Sequence, residues 1–99
     1  MTIKLVRKEN ACVLYLEGKL DSLTAPETGK VFDSVKEKYD TVTVDLGGVE
    51  YVSSAGLRVL KTLHIDMKRK NGEMLVAGAD KTMMEIFELT GLASLFRFV

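Results

Sequence analysis

With 99 residues, 46% of them apolar and 28% charged, the chain is long enough for one modest core and reads as a single globular domain over 1–99. Fourteen Lys and Arg balance 14 Asp and Glu, which leaves no electrostatic footprint for direct contact with nucleic acid or an anionic membrane surface. No apolar run approaches the ~20 residues that span a bilayer, no secretion-type leader opens the chain, and lone Cys12 excludes an internal disulfide or a multi-cysteine metal site, so a reduced, cytoplasmic setting is expected.

Ile3 to Val6 and Ala11 to Leu16 predict two strands joined through Lys8-Glu9-Asn10, with Gly18 ending the second. Thr24-Ala25-Pro26-Glu27 has the form of a capping box with Pro in the first turn. Thr28, Val31, Phe32, Val35 and Tyr39 follow at helical spacing, which predicts a helix from Ala25 to Tyr39. Thr41 to Leu46 is a third strand, and Gly47-Gly48 then predicts a short turn leading to Ser53-Ser54. Those serines stand at the mouth of a helix whose apolar stripe is Gly56, Val59, Leu60, Leu63 and Met67. Its end is expected near Asn71-Gly72, where Lys68, Arg69 and Lys70 suit the negative end of the helix dipole. Met74 to Ala77 is continuously apolar and predicts a strand buried on both faces. Asp80 is placed to cap a third helix carrying Met83, Ile86, Phe87 and Thr90, with Gly91 closing it. Leu95 to Phe98 offers a last short strand.

Strands separated by helices of this length favour parallel pairing through right-handed crossovers, while the first two suit a hairpin. The expected fold is therefore α/β, a mixed sheet of four or five strands with three principal helices. Open sheets of this kind carry functional loops at the carboxyl ends of their strands. The Gly47 to Ser54 segment follows such an end. A helix mouth leaves backbone N–H groups unpaired and carries partial positive charge, so a serine there can cap the helix or, once phosphorylated, be tolerated.

Several pieces now combine: Gly18-Lys19-Leu20-Asp21, Asp45-Leu46-Gly47-Gly48-Val49, Ser53-Ser54-Ala55-Gly56-Leu57, Gly72-Glu73-Met74, and Phe87-Glu88-Leu89-Thr90-Gly91-Leu92. Over nearly its whole length the chain resembles the STAS domain family in its stand-alone bacterial form, the anti-sigma factor antagonist. The resemblance implies a partner switch. The unmodified antagonist binds an anti-sigma factor that is itself an ATP-dependent serine kinase, phosphorylation ends the association, and a serine phosphatase resets it. The accepting hydroxyl lies two residues before the glycine of the block, which lands on Ser54. Members with the sporulation-type pattern carry Asp just before that serine, whereas this chain has Ser53, making Ser53 the fallback acceptor. The Ser-Ser-Ala-Gly version also resembles members whose pathway is not sigma control. Other STAS-like domains are accessory subunits of transport or lipid-trafficking complexes.

The expected partner surface comprises Asp21, Ser53, Gly56, Leu57, Arg58, Lys61 and Ile65. Asp21 has two readings, a turn or capping residue and an acidic group beside the acceptor. Gly56 reads as a close-packing position against either the sheet or a partner. Exposed Arg58, Lys61 and Ile65 form a docking candidate on the second helix. His64, mid-helix and without a matching base, nucleophile or ligand set, is assigned no chemistry. No catalytic residue, metal or cofactor is expected, nor membrane insertion, and the oligomeric expectation is a monomer or weak dimer.

Overall fold

The computed structural model describes residues 1–99 as β1 (Thr2–Lys8), β2 (Ala11–Leu20), α1 (Ala25–Lys38), β3 (Thr41–Val52), α2 (Ser54–Arg69), β4 (Glu73–Ala77), α3 (Lys81–Thr90), α4 (Leu92–Leu95) and β5 (Arg97–Phe98). The five strands lie side by side in chain order. β1 and β2 form an antiparallel hairpin and every later pair is parallel. The mixed α/β sheet expected from the alternation of strands and helices is present. α4, a single turn after Gly91, is an addition that the final apolar residues did not announce.

Because each strand is laid down beside its predecessor, every right-handed crossover places its helix on the same side of the sheet. The burial pattern records this. Cys12, Leu14 and Leu16 of β2, Val42, Val44 and Leu46 of β3, and Met74 and Val76 of β4 point into one core with Phe32, Val35, Leu60, Leu63, Met67 and Phe87. β4 therefore alternates, with Leu75 and Ala77 only half-buried, and the expectation of burial on both its faces is corrected. The opposite face of the sheet carries Val6, Val13, Thr43 and Leu75 in one cross-strand row, outside the core.

Three local expectations are also corrected. Strand β2 passes through Gly18 to Leu20, and β3 passes through Gly47-Gly48 to Val52. Between Tyr15↔Asp45 and Glu17↔Gly48, and again between Gly18↔Val49 and Lys19↔Tyr51, β3 holds one more residue than β2. The diglycine is thus a bulge within a strand. Asp45 Oδ1 accepts from the Gly47 N–H at 2.8 Å, and a Cβ on Gly48 would stand 2.9 Å from the Leu16 carbonyl oxygen. Only glycine permits that approach of the two backbones without a shift. Thr24 does precede α1, but its hydroxyl makes no cap bond. It donates to the Lys19 carbonyl at 2.7 Å and accepts from the Asp21 N–H at 3.0 Å, so the expected capping box is replaced by a fastening of the β2–α1 turn.

At the far end, Lys70 Nζ donates to the carbonyls of Lys36 and Tyr39, and Lys36 bridges Asp33 and Asp66, tying α1 to α2. His64 is 6% exposed, its ring centroid 5.8 Å from that of Phe96, and its Nδ1 has no hydrogen-bond partner. Burial, with the nearby Lys68 charge second, holds its pKa below the ordinary value of 6.5. A depressed folded-state pKa means that the unfolded chain binds the proton first, so the neutral-form stability is present above about pH 6.5 and is lost as pH falls below it. Urea denaturation of wild type and His64→Leu across that window should show wild type losing stability with acid relative to the variant. Parallel profiles would contradict the assignment.

Candidate functional site: the mouth of α2

The last residue pair of the β2–β3 ladder, Leu20↔Val52, brings the carboxyl ends of both strands together. One residue on, the Ser53 N–H donates to the Leu20 carbonyl at 2.9 Å, and α2 begins at Ser54. Ser53 has extended backbone and is the N-cap: its Oγ accepts from the Gly56 N–H at 3.3 Å and its carbonyl accepts from Leu57. Ser54 occupies the first helical position with its side chain exposed. The two neighbouring hydroxyls thus have different situations, one bound to the helix frame and one facing outward. Removing the cap with Ser53→Ala should cost about 1 kcal/mol of stability in chemical denaturation, whereas Ser54→Ala should cost less than half of that. The reverse order would mean that Ser54 caps the helix.

Gly56 is buried against the sheet. A Cβ there would lie 2.5 Å from the Leu20 carbonyl oxygen, 2.8 Å from Leu20 Cγ and 3.0 Å from Val52 Cγ1. Its reading as a partner contact is therefore corrected: the glycine serves the approach of α2 to β2 and β3. Leu57 is half-buried against the core. Arg58, Lys61 and Ile65 are exposed, and with Ser54 they follow the spacing four, three, four along α2, which is one stripe down the helix.

Asp21 stands at the exit of β2, next to Leu20. Its Oδ1 accepts from the N–H groups of Leu23 at 3.0 Å and Thr24 at 3.1 Å, and those bonds, Thr24 foremost, hold its carboxyl below the ordinary carboxylate pKa. The carboxylate builds the turn, which is the structural of its two readings. The turn in turn presents Leu23, 87% exposed. Sequence reasoning passed over Leu23, although a single leucine between Asp21-Ser22 and Thr24 in a turn was the available signal. It also missed the cleft of about 410 Å³ between α1 and α2, whose walls include Ser22, Ala25, Phe32, Ala55, Arg58 and Val59. On the other flank, Glu50 and Tyr51, expected in a loop, are exposed positions of β3. The mouth of α2 is therefore ringed by an apolar knob, a shallow cleft and a basic helix stripe. Such an arrangement suits binding of a protein surface. His64 lies ten residues down α2, about 15 Å from the serines, so it cannot serve either hydroxyl as a base.

No helix of the chain is long and apolar enough to cross a membrane. The anti-sigma-B factor antagonist of Listeria monocytogenes is 26% identical over 83 residues, covering 83% of this chain and 73% of that protein. An anti-sigma factor antagonist from Mycobacterium paratuberculosis superimposes with a TM-score of 0.87 at 23% identity, covering 98% of this chain and 83% of that one. The Bacillus cell fate determinant SpoIIAA in its phosphorylated form superimposes with a TM-score of 0.79 at 15% identity, covering 99% and 91%. The STAS domain family matches residues 2–99, and the chain belongs to that family.

Proposed function

We propose that this protein is an anti-sigma factor antagonist that works as a partner switch. Unmodified, it binds an anti-sigma factor of the serine-kinase type through the mouth of α2, the Asp21–Thr24 turn and the Arg58–Lys61–Ile65 stripe. Phosphorylation of Ser54 releases it, and a serine phosphatase restores it. It acts by binding and carries no chemistry of its own. The observation that carries the reading is the division between the two hydroxyls: Ser53 Oγ accepts the Gly56 N–H, while Ser54 is exposed on the first turn. Relatives named as antagonists support the choice of partner.

The physical logic follows from charge. A phosphoserine carries about −1.5 to −2 charges at neutral pH. At the start of a helix that charge meets unpaired N–H groups and the positive end of the dipole, so the fold accommodates it. Arg58, one turn further along the same stripe, adds a cation. A docked partner would have to strip water from the phosphate or oppose it with its own groups, so the complex weakens while the antagonist stays folded. Incubation with the cognate kinase and ATP, followed by peptide fragmentation, should place one phosphate on Ser54. A phosphate confined to Ser53 would overturn the site assignment.

A further inference from the structure

The face of the sheet that no helix covers is self-complementary, and we propose that through it two copies of this chain pair as a symmetric, weak dimer. The register arranges this face in rows across β1, β2, β3 and β4. One row runs Lys8, Ala11, Thr41, Glu73; the next Val6, Val13, Thr43, Leu75; the third Lys4, Tyr15, Asp45, Ala77. Val6 is 46% and Tyr15 44% exposed, unusual for large apolar side chains in a sheet, and neither belongs to the core.

The polarity of the face names its occupant. Along β1 the charged residues of these rows are cations, Lys4 and Lys8. Along β3 and β4 they are anions, Asp45 and Glu73. A twofold axis lying in the interface along the strand direction, between β2 and β3, exchanges β1 with β4 and β2 with β3. Each row then faces its own copy. Lys8 comes over Glu73 of the second copy, Val6 over its Leu75, and Tyr15 over its Asp45. The apolar row is thus bordered on one side by two symmetry-related Lys8–Glu73 pairs of opposite sign and on the other by Tyr15 over Asp45 and Lys4 over Ala77, the layout of a small isologous interface. Glu73 already meets Arg97 at 3.1 Å on this face, so the second copy's Lys8 joins an existing exposed pair. Aligned sheet packing of this kind is the ordinary geometry of a β-sandwich.

Size sets the strength. Four strands about 4.8 Å apart, matched over the length of β4, present roughly 320 Å² per copy. The total of about 640 Å² falls well below the usual range of stable interfaces, so association is weak and concentration-dependent. The mouth of α2 belongs to the covered side and the strand ends, which leaves it free in the dimer.

Sedimentation equilibrium of the full chain from low to high micromolar concentration should show a reversible monomer–dimer equilibrium. Lys8→Glu and Glu73→Lys, both surface changes with unchanged circular dichroism, should each weaken it by about tenfold or more. Their equimolar mixture should dimerise again, because each contact in the mixed pair regains opposite charges. Leu75→Lys should weaken the dimer without rescue by either. A chain that stays monomeric throughout, a dimer indifferent to all three changes, or a mixture that fails to reassemble would each overturn the proposal.

Discussion

Replacing Gly56 by Ala is expected to lower the stability of the fold by about 2–3 kcal/mol, or roughly 10–20 °C in melting temperature for a chain of this size. In an open helix the same change is favourable by about 1 kcal/mol, because alanine loses less backbone freedom. Here the added methyl would fall 2.5 Å from the Leu20 carbonyl oxygen, with Leu20 Cγ and Val52 Cγ1 closing the other sides. All three obstacles belong to one ladder pair at the end of the sheet, Leu20↔Val52, and the nearest is backbone, so relief requires α2 to move away from β2 and β3. That movement would also lengthen the Ser53 N–H bond to Leu20 and disturb the mouth of the helix. Gly91→Ala is the control. Gly91 has φ +82°, and a methyl added there would have nothing within 4 Å, so that variant should lose only the left-handed backbone cost of about 1 kcal/mol. Urea denaturation of the three proteins decides the matter. A Gly56→Ala variant as stable as wild type would show that α2 slides on the sheet without cost.

Ser54→Asp is expected to weaken binding to the cognate anti-sigma factor by about tenfold or more, and stoichiometric phosphorylation of Ser54 by about a hundredfold. The aspartate carries one charge on a shorter side chain, so its effect is the smaller. The fold should respond in the opposite direction. A carboxylate in the first turn interacts favourably with the helix dipole, contributing about 0.3–1 kcal/mol, so the variant that binds less well should be as stable as wild type or slightly more so. Ser54→Ala should accept no phosphate and bind as unmodified wild type does, since Ser53 still caps the helix. Calorimetric titration of the partner into each form, with denaturation curves beside it, separates a lost interface from a damaged fold. Equal affinities for all forms would reduce Ser54 to an ordinary helix-start serine.

The local punctuation of this fold is legible in the amino-acid sequence because it depends on groups only a few residues apart. Ser53 and Asp80 accept from N–H groups three residues on, and Gly91 ends α3 in the left-handed conformation that glycine supplies. The hairpin and the parallel crossovers follow from that punctuation and from apolar spacing, whereas the division between Ser53 and Ser54 is decided by the extended backbone of Ser53 and its bond from the Gly56 N–H. What escaped the sequence depends, Thr24 aside, on segments distant along the chain. Gly47-Gly48 reads as a turn until β2 is beside it, when the same two residues become a bulge pressed against Leu16. Thr24 reads as a cap until the Lys19 carbonyl offers its hydroxyl a better partner. The apolar run in β4 reads as doubly buried, yet sequential strand order sends every crossover over one face and leaves Leu75 on the other. Gly56 belongs to the sheet and not to a partner because Leu20 and Val52 pair directly beneath it. Caps and periodicity are set by bonds within a turn of helix or a strand, whereas the face that is covered, and the surface that remains to meet a partner, are set by the order in which strands pack.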